Sequence, residues 1–447
     1  MYITGIQMAI EINNEFQLAL KILLQTNDNV FVTGKAGTGK TTFLKYFVSQ
    51  CRKKFVILAP TGVAALNAGG ETIHSFFKFK TDITLDKVTK RKYGKNSIYK
   101  NLETIVIDEV SMLRADLLDC VDKFLRLNGP IPKLPFGGIQ MLFIGDLMQL
   151  PPVVTKDEEF LFHNYYDSPY FFSAKCMNEV FCHVIEFQKV YRQTDKKFIN
   201  ILNSIRTNNV NSEIIDSLNK NVHKKSENRK LSVLLTTTNK SAEFYNNKFL
   251  GQIHCDPYTF TAETEDVDNI SAFPVNYELK LKIGAQVMML NNDSKDRWVN
   301  GSIGVIEDIV KDLSDDKYKI YVKMQNGKTE IVEQYTWDLF KYKWNKDLNV
   351  IETEHAGSFS QYPMKLAWAV TIHKSQGKTF DNVLIDLGYG AFAPGQLYVA
   401  LSRCKDLEGI SLAKPIKKSD VIIDEKIDEL LKKRERINYL TEKKTLI

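Results

Sequence analysis

The chain has 447 residues, 44% of them apolar and 26% charged, with a formal net charge of +6. That balance is ordinary for a globular protein of about two to four domains, and the small basic excess permits a nucleic-acid partner without arguing for one. No apolar run approaches the roughly 20 residues of a membrane helix, Met1–Gly5 has neither a signal nor a transit pattern, and six scattered cysteines without a C-x-x-C pair exclude a disulfide or zinc framework and read as reduced intracellular thiols.

Residues 10–186 alternate between apolar strand candidates and helical stretches, which predicts a mostly parallel sheet. The first strand, Val30–Thr33, runs into Gly34-Lys35-Ala36-Gly37-Thr38-Gly39-Lys40-Thr41-Thr42, and a helical stretch follows. This is the strand, phosphate loop and helix order of G-x-x-x-x-G-K-[ST]. Gly34, Gly37 and Gly39 let backbone amides approach phosphates, and the helix start adds partial positive charge. Lys40 is expected on the β and γ phosphates and Thr41 on Mg²⁺, so the chain is expected to bind and hydrolyse a nucleoside triphosphate.

The second strand, Phe55–Ala59, leads to Pro60-Thr61-Gly62-Val63, and Gly69–Phe77 offers further hydroxyls and rings. Such a mixture suits single-stranded nucleic acid, although Phe76 and Phe77 suit a core equally well. Between Phe76 and Asn101 the pattern breaks into basic, polar sequence, read as an insertion on the sheet. Thr104–Ile107 delivers Asp108 and Glu109, the first a candidate Mg²⁺ ligand and the second a candidate general base. Met141–Ile144 precedes Gly145–Val153, where Gln149 is a candidate γ-phosphate sensor or part of a proline-stiffened turn. His183–Phe187 is the next strand candidate, followed by Val190-Tyr191-Arg192-Gln193.

Alternation resumes at Leu231–Thr236 and Val383–Asp386. Between them, roughly 276–362 has period-two patterning and glycine punctuation, and is predicted as a small β-barrel inserted in a second α/β domain. Gln325-Asn326-Gly327 is predicted as a type I′ turn. Met364–Val370 is predicted as a helix entering the polar loop Thr371–Thr379, whose His373 lacks partners at zinc-ligand spacing. A last helix is expected around Ile423–Leu431 with Asp420 as its N-cap, and Lys432-Lys433-Arg434 on a solvated face.

In this order the segments resemble superfamily 1B DNA helicases of the PIF (petite integration frequency) family, from about Glu15 to Leu412. The resemblance is carried by Gly34–Thr41, Phe136-Gly137-Gly138 with Gly145–Val153, Leu281–Asn291 with Trp298-Val299-Asn300-Gly301-Ser302, Trp368–Thr379 and Gln396–Arg403. It implies two RecA-like domains with ATP between them: 1–186, carrying the small insertion at about 77–101, and 187–275 with 363–415. An SH3-like barrel would occupy 276–362 and a helical tail 416–447.

It further implies ATP and Mg²⁺ as cofactors, 5′-to-3′ movement on single-stranded DNA, and unwinding of duplex forks and G-quadruplexes. Gln17 would contact adenine, Thr42 would join the phosphate loop, Arg192 and Arg403 would be paired arginine fingers, and Gln376-Gly377 would couple γ-phosphate to DNA. Thr61, Gly62, Val63, His74, Ser75, Phe76, Thr371, His373, Lys374 and Ser375 would contact the strand. Beginning almost at the helicase core, the chain is expected to be a bacterial or phage-type enzyme, cytoplasmic and nucleoid-associated, acting as a monomer or as a DNA-induced dimer. Three rival readings stand beside it: a RecD-like or relaxase-associated motor of the same superfamily with reversed direction, an ATP-gated clamp that holds nucleic acid without moving, and a nucleotide-driven assembly factor with no nucleic-acid partner.

Overall fold

The computed structural model describes residues 12–427 except 81, 92–96, 155–157, 159–161, 163, 194, 224–230, 268–269, 271–272, 313–316 and 346. The chain divides into two compact units. One contains the chain up to Leu147, Pro151–Arg192 and Phe340–Glu354; the other contains Met148–Leu150, Gln193–Leu339 and the chain from His355 onward.

The first unit is built on a parallel sheet of β1 (Asn29–Gly34), β2 (Phe55–Ala59), β3 (Glu71–Thr72), β4 (Thr104–Ile107), β5 (Gln140–Ile144) and β6 (Cys182–Phe187), in the order β3-β2-β4-β5-β1-β6. Strands β4 and β5 are buried along their whole length. That is why they read as unbroken apolar runs and not as alternating ones. Helix α1 (Asn14–Gln25), capped by the Asn13 side chain on Phe16 N, and helix α2 (Lys40–Gln50) pack together on one face. Phe16 meets Phe43 and Phe187 there, with ring centroids 4.9 and 5.8 Å apart. Helix α3 (Gly62–Ala68), helix α4 (Ile73–Phe77), helix α5 (Ile98–Asn101) and helix α6 (Ala115–Asn128) follow in chain order.

The described part of the segment expected as an insertion on the sheet packs on α6. Phe77, Phe79 and Tyr99 surround Phe124, and Lys123 Nζ donates to Leu85 O at 2.7 Å.

The second unit has a parallel sheet of β18 (Ala369–Thr371), β7 (Val233–Thr236), β19 (Val383–Asp386) and β20 (Ile410–Leu412), in that order. The other strands in chain order are β8 (Tyr258–Thr261), β9 (Glu263–Glu265), β10 (Glu278–Leu281), β11 (Gln286–Met289), β12 (Ile303–Lys311), β13 (Tyr318–Met324), β14 (Thr329–Val332), β15 (Tyr335–Asn345), β16 (Val350–Gln361) and β17 (Met364–Leu366), and an antiparallel sheet of the second unit runs β14-β13-β12-β11-β17. Strand β13 alternates buried Ile320, Val322 and Met324 with more exposed neighbours, the expected one-sided pattern.

Three expectations need correction. Met364–Val370 is not a helix: Met364 pairs with Met289 and Val370 with Leu235, so two different sheets claim this short apolar run. The turn after β13 is not type I′, because only Gly327 has positive φ, at +83°, while its N–H returns to Met324 O. This is a type I turn followed by a left-handed glycine, the three-residue hairpin solution. Asp420 caps no long helix; it closes a short turn, with its carboxylate accepting from Lys417 N and Ala391 N. Of the expected tail helix, residues from Asp428 on lie outside the described residues.

Candidate nucleotide and nucleic-acid site

The phosphate loop forms because its glycines occupy backbone that other residues rarely adopt. Gly37 and Gly39 have φ of +82° and +86°. A Cβ on Gly34 would fall 2.7 Å from Phe187 O, and one on Gly37 would collide with the Arg192 Cβ. Tyr191 N donates to Gly37 O at 2.8 Å, so the Tyr191-Arg192 segment is laced onto the loop within the first unit. Lys40 leads α2 and turns its ammonium back to Gly34 O and Lys35 O, at 2.7 and 3.0 Å. Thr41 and Thr42 follow it in the first turn of α2, and Thr38 Oγ1 donates to Lys35 O. Gln17 stands exposed in the first turn of α1, whose Phe16 packs on Phe43 of α2.

Asp108 follows β4, and its carboxylate accepts from Glu109 N at 2.9 Å. Burial pushes the Asp108 carboxyl up to about 7, the Glu109 carboxylate adds to the rise, and the Glu109 amide and Lys40 oppose it. Glu109 has φ of +50°, a left-handed conformation unusual for a glutamate and of the kind held at functional sites. Gly145, at the end of β5, is wedged against that turn; a Cβ there would lie 2.9 Å from Val110 Cγ1.

Magnesium takes hard oxygen donors, commonly one or two carboxylates plus phosphate oxygens. Thr41 and Asp108 are of that type, and a carboxyl crowded by burial and a second acid is one that a divalent cation relieves. Among the described residues no group of three or more His, Cys, Asp or Glu forms a complete cage. The donor set therefore fits a cation that nucleotide phosphates help to hold.

The second unit gathers Gln149, Gln376 and Arg403. Gln376 Nε2 donates to Gln149 Oε1 at 3.3 Å, and Gly377 is exposed beside it with φ of +75°. Arg192 was expected to group with Arg403, and Gln149 with Lys40. In the structure Arg192 lies on the phosphate loop, and Gln149 bonds Gln376. Arg403 is 1% exposed. Its guanidinium donates to Val399 O, Ser375 O, Lys378 O and Ser402 Oγ. These bonds clasp the 375–378 turn from within its own unit.

Of the expected strand contacts, Val63 is exposed, and Thr61 is the N-cap of α3, its hydroxyl accepting from Ala64 N at 3.3 Å; Gly62 is the first residue of that helix. His74 is half-buried on α4, where burial lowers its pKa, and Ser75 Oγ donates to Glu71 Oε2. Phe76 is a correction. It is buried against Phe77, Tyr99 and Tyr342, and its carbonyl accepts from Tyr99 OH, so it belongs to the core. Thr371 and Ser375 are also buried; the Thr371 hydroxyl accepts from Lys374 N, and that of Ser375 donates to Ile372 O. Lys374 is exposed and His373 half-buried, so these two remain accessible in that turn.

The sequence reading missed Tyr342. Its N–H donates to Glu71 Oε1 at 2.6 Å and its hydroxyl accepts from Ile57 N. A contact spanning 271 residues leaves no local signal.

Comparison with known proteins fits this geometry. The family described as PIF1-like helicase matches residues 11–216, and the one described as DNA helicase Pif1, 2B domain, matches 269–309. The ATP-dependent DNA helicase Pif1 of Bdellovibrio bacteriovorus is 32% identical over 435 residues, covering 94% of this chain and 91% of that protein. The crystal structure of Bacteroides sp Pif1 in complex with ADP-AlF4 superposes with a TM-score of 0.85 at 37% identity, covering 95% of this chain and 97% of the other. Bacteroides Pif1 bound to ssDNA gives 0.69, also at 37% identity, covering 96% and 98%. The chain spans 61% and 59% of the length of the Xenopus laevis and Mus musculus relatives it matches. The two parallel sheets are thus those of two RecA-like domains, and the chain belongs to the PIF1-like helicase family.

Proposed function

We propose that this protein is an ATP-dependent DNA helicase that moves 5′-to-3′ on single-stranded DNA and unwinds duplex forks, with G-quadruplexes as further substrates. ATP and Mg²⁺ are its cofactors, and its place is the bacterial cytoplasm at the nucleoid. It acts as a monomer, with dimers forming on DNA as the alternative. The observation that carries the reading is the convergence of phosphate loop, paired carboxylates and Arg192 in one unit. The relatives' names and their complexes with ADP-AlF4 and ssDNA support it.

In this proposal Lys40 leaves its loop carbonyls for the β and γ phosphates, and Arg192 neutralises charge on the transferring group. Glu109 orients water and accepts its proton. Thr41 and Asp108 would hold the Mg²⁺, which supplies charge stabilisation when bound. Gln376 and Gly377, beside Gln149, read the nucleotide's state. Thr61, Gly62, Val63, His74, Ser75, His373 and Lys374 line the strand.

An unwinding assay on 5′- and 3′-tailed duplexes, with and without ATP, tests the proposal. Unwinding of the 5′-tailed substrate with ATP is expected. Unwinding of the 3′-tailed one alone would overturn the polarity, and no unwinding of either would overturn the function. Lys40→Ala should lower hydrolysis by at least about 100-fold, comparable to losing one preorganised donor to developing charge. Single-strand binding by that variant should persist in a fluorescence-anisotropy titration.

A further inference from the structure

The turn 373–378 is fixed from within by Arg403, whose guanidinium bonds the carbonyls of Ser375 and Lys378, both at 3.2 Å. Its outer face carries Gln376, bonded to Gln149. Its far end carries Lys378, a lysine with no use in the nucleotide chemistry above. The Lys378 stem runs beside Gly301, so a Cβ on that glycine would meet Lys378 Cβ, Cγ and Cδ at 3.4, 3.6 and 3.8 Å. The ammonium then donates to Asn300 Oδ1 at 2.5 Å. No ion pair is formed with Lys378 among the described residues, and burial lowers its pKa to about 8.

The loop that presents Asn300 is equally rigid. Asn300 N donates to Asn292 Oδ1, Gly301 N to Met289 O, Trp298 Nε1 to Asn291 Oδ1, and Arg297 bonds Asp293 through Nε and Nη2. It springs from β11 and β12 of the antiparallel sheet. Two stiff pieces of one unit, from different sheets, are therefore joined side chain to side chain by an amide–ammonium bond over a glycine.

We propose that the Lys378–Asn300 bond is a positioning strut through which the 373–378 turn sets the placement of the 291–302 loop, so that movement at Gln376 is passed to the inserted barrel. The inference rests on the helicase reading above. A bond to a neutral amide suits such a link, since it is directional yet holds less tightly than a carboxylate would. Residues acting in this way change the coupling between sites and leave the chemistry at each intact.

The test uses the full chain, with Asn300→Ala, Lys378→Met and the double variant. DNA-independent ATP hydrolysis should match the parent and each variant should stay folded at the assay temperature, whereas base pairs opened per ATP should fall about fivefold or more, the usual scale of coupling between sites. The double variant should be no worse than either single one, and Asn300→Asp should restore coupling. Unchanged base pairs per ATP in both single variants, or losses that simply add in the double, would overturn the strut. A parent enzyme that fails to unwind DNA would instead overturn the helicase reading on which it rests.

Discussion

The phosphate loop and the 371–378 turn both follow a strand of a parallel sheet, yet they are built for opposite ends. At the first, glycines open the backbone, and Lys40 donates to its own loop's carbonyls. At the second, the hydroxyls of Thr371 and Ser375 are spent on the turn itself, and Arg403 clasps it from the core. The first is a cradle whose polar groups can exchange partners with a ligand. The second is a machined part whose polar groups hold its own shape, leaving Gln376, His373 and Lys374 to meet anything outside.

That contrast can be broken with the two arginines. Arg192→Ala should slow ATP hydrolysis by about 10³-fold or more, the scale of an arginine finger, while leaving the melting temperature unchanged. A loss under about tenfold in a steady-state assay would remove Arg192 from the chemistry. Arg403→Ala should do the reverse. It leaves the Lys378 carbonyl without its donor, at about 1–3 kcal/mol for a group left unsatisfied, and takes one of two donors from the carbonyls of Val399 and Ser375, which keep Ser402 Oγ and Lys378 N, so thermal unfolding should shift down by several degrees. A full-stability Arg403→Ala variant with crippled hydrolysis would restore the finger assignment.

Phe76→Ala sharpens the same division on the first unit. Removing a buried phenylalanine should cost about 3–5 kcal/mol in denaturant unfolding. Single-strand affinity measured below the transition should stay near the parent's; a stability-neutral variant that binds DNA poorly would return Phe76 to the interface.

A pH-dependent effect concerns Lys365, whose pKa is pushed down to about 7 by burial and by Lys378 and Lys374 nearby. The unfolded chain then binds more protons than the native one between pH 7 and the ordinary lysine value of 10.5, so this group's penalty is full below pH 7 and fades as pH rises. Lys365→Met should therefore raise the melting temperature most at or below pH 7 and hardly at all by pH 10.5. A gain independent of pH would count against burial of the charge.

The sheets were legible because buried parallel strands announce themselves as apolar runs. Phe55–Ala59, Thr104–Ile107 and Val383–Asp386 fall on their predicted bounds. The candidate acids Asp108 and Glu109 stand directly after the apolar strand that pointed to them. Met364–Val370 misled because seven largely apolar residues suit helix or strand alike, and Met289 and Leu235, which decide it, lie far away in sequence. Phe76 misled in the same way, since nothing local distinguishes a ring facing solvent from one packed on Tyr99. Arg192 and Arg403 look alike in sequence, each an arginine after apolar residues; only packing separates a side chain on the phosphate loop from one inside its own unit.

The contact between Tyr342 and Glu71 bears on how the gene can be cut. Strand β3 has two residues, and the β3 and α4 surface is completed by Phe340–Glu354, from the far side of the polypeptide. A truncation stopping after Arg192 would expose Phe76 and strip the Glu71 carboxylate and the Ile57 amide of their Tyr342 partners. Such a fragment should be recovered from expression as insoluble material, and supplying a peptide spanning Phe340–Glu354 should partly rescue it.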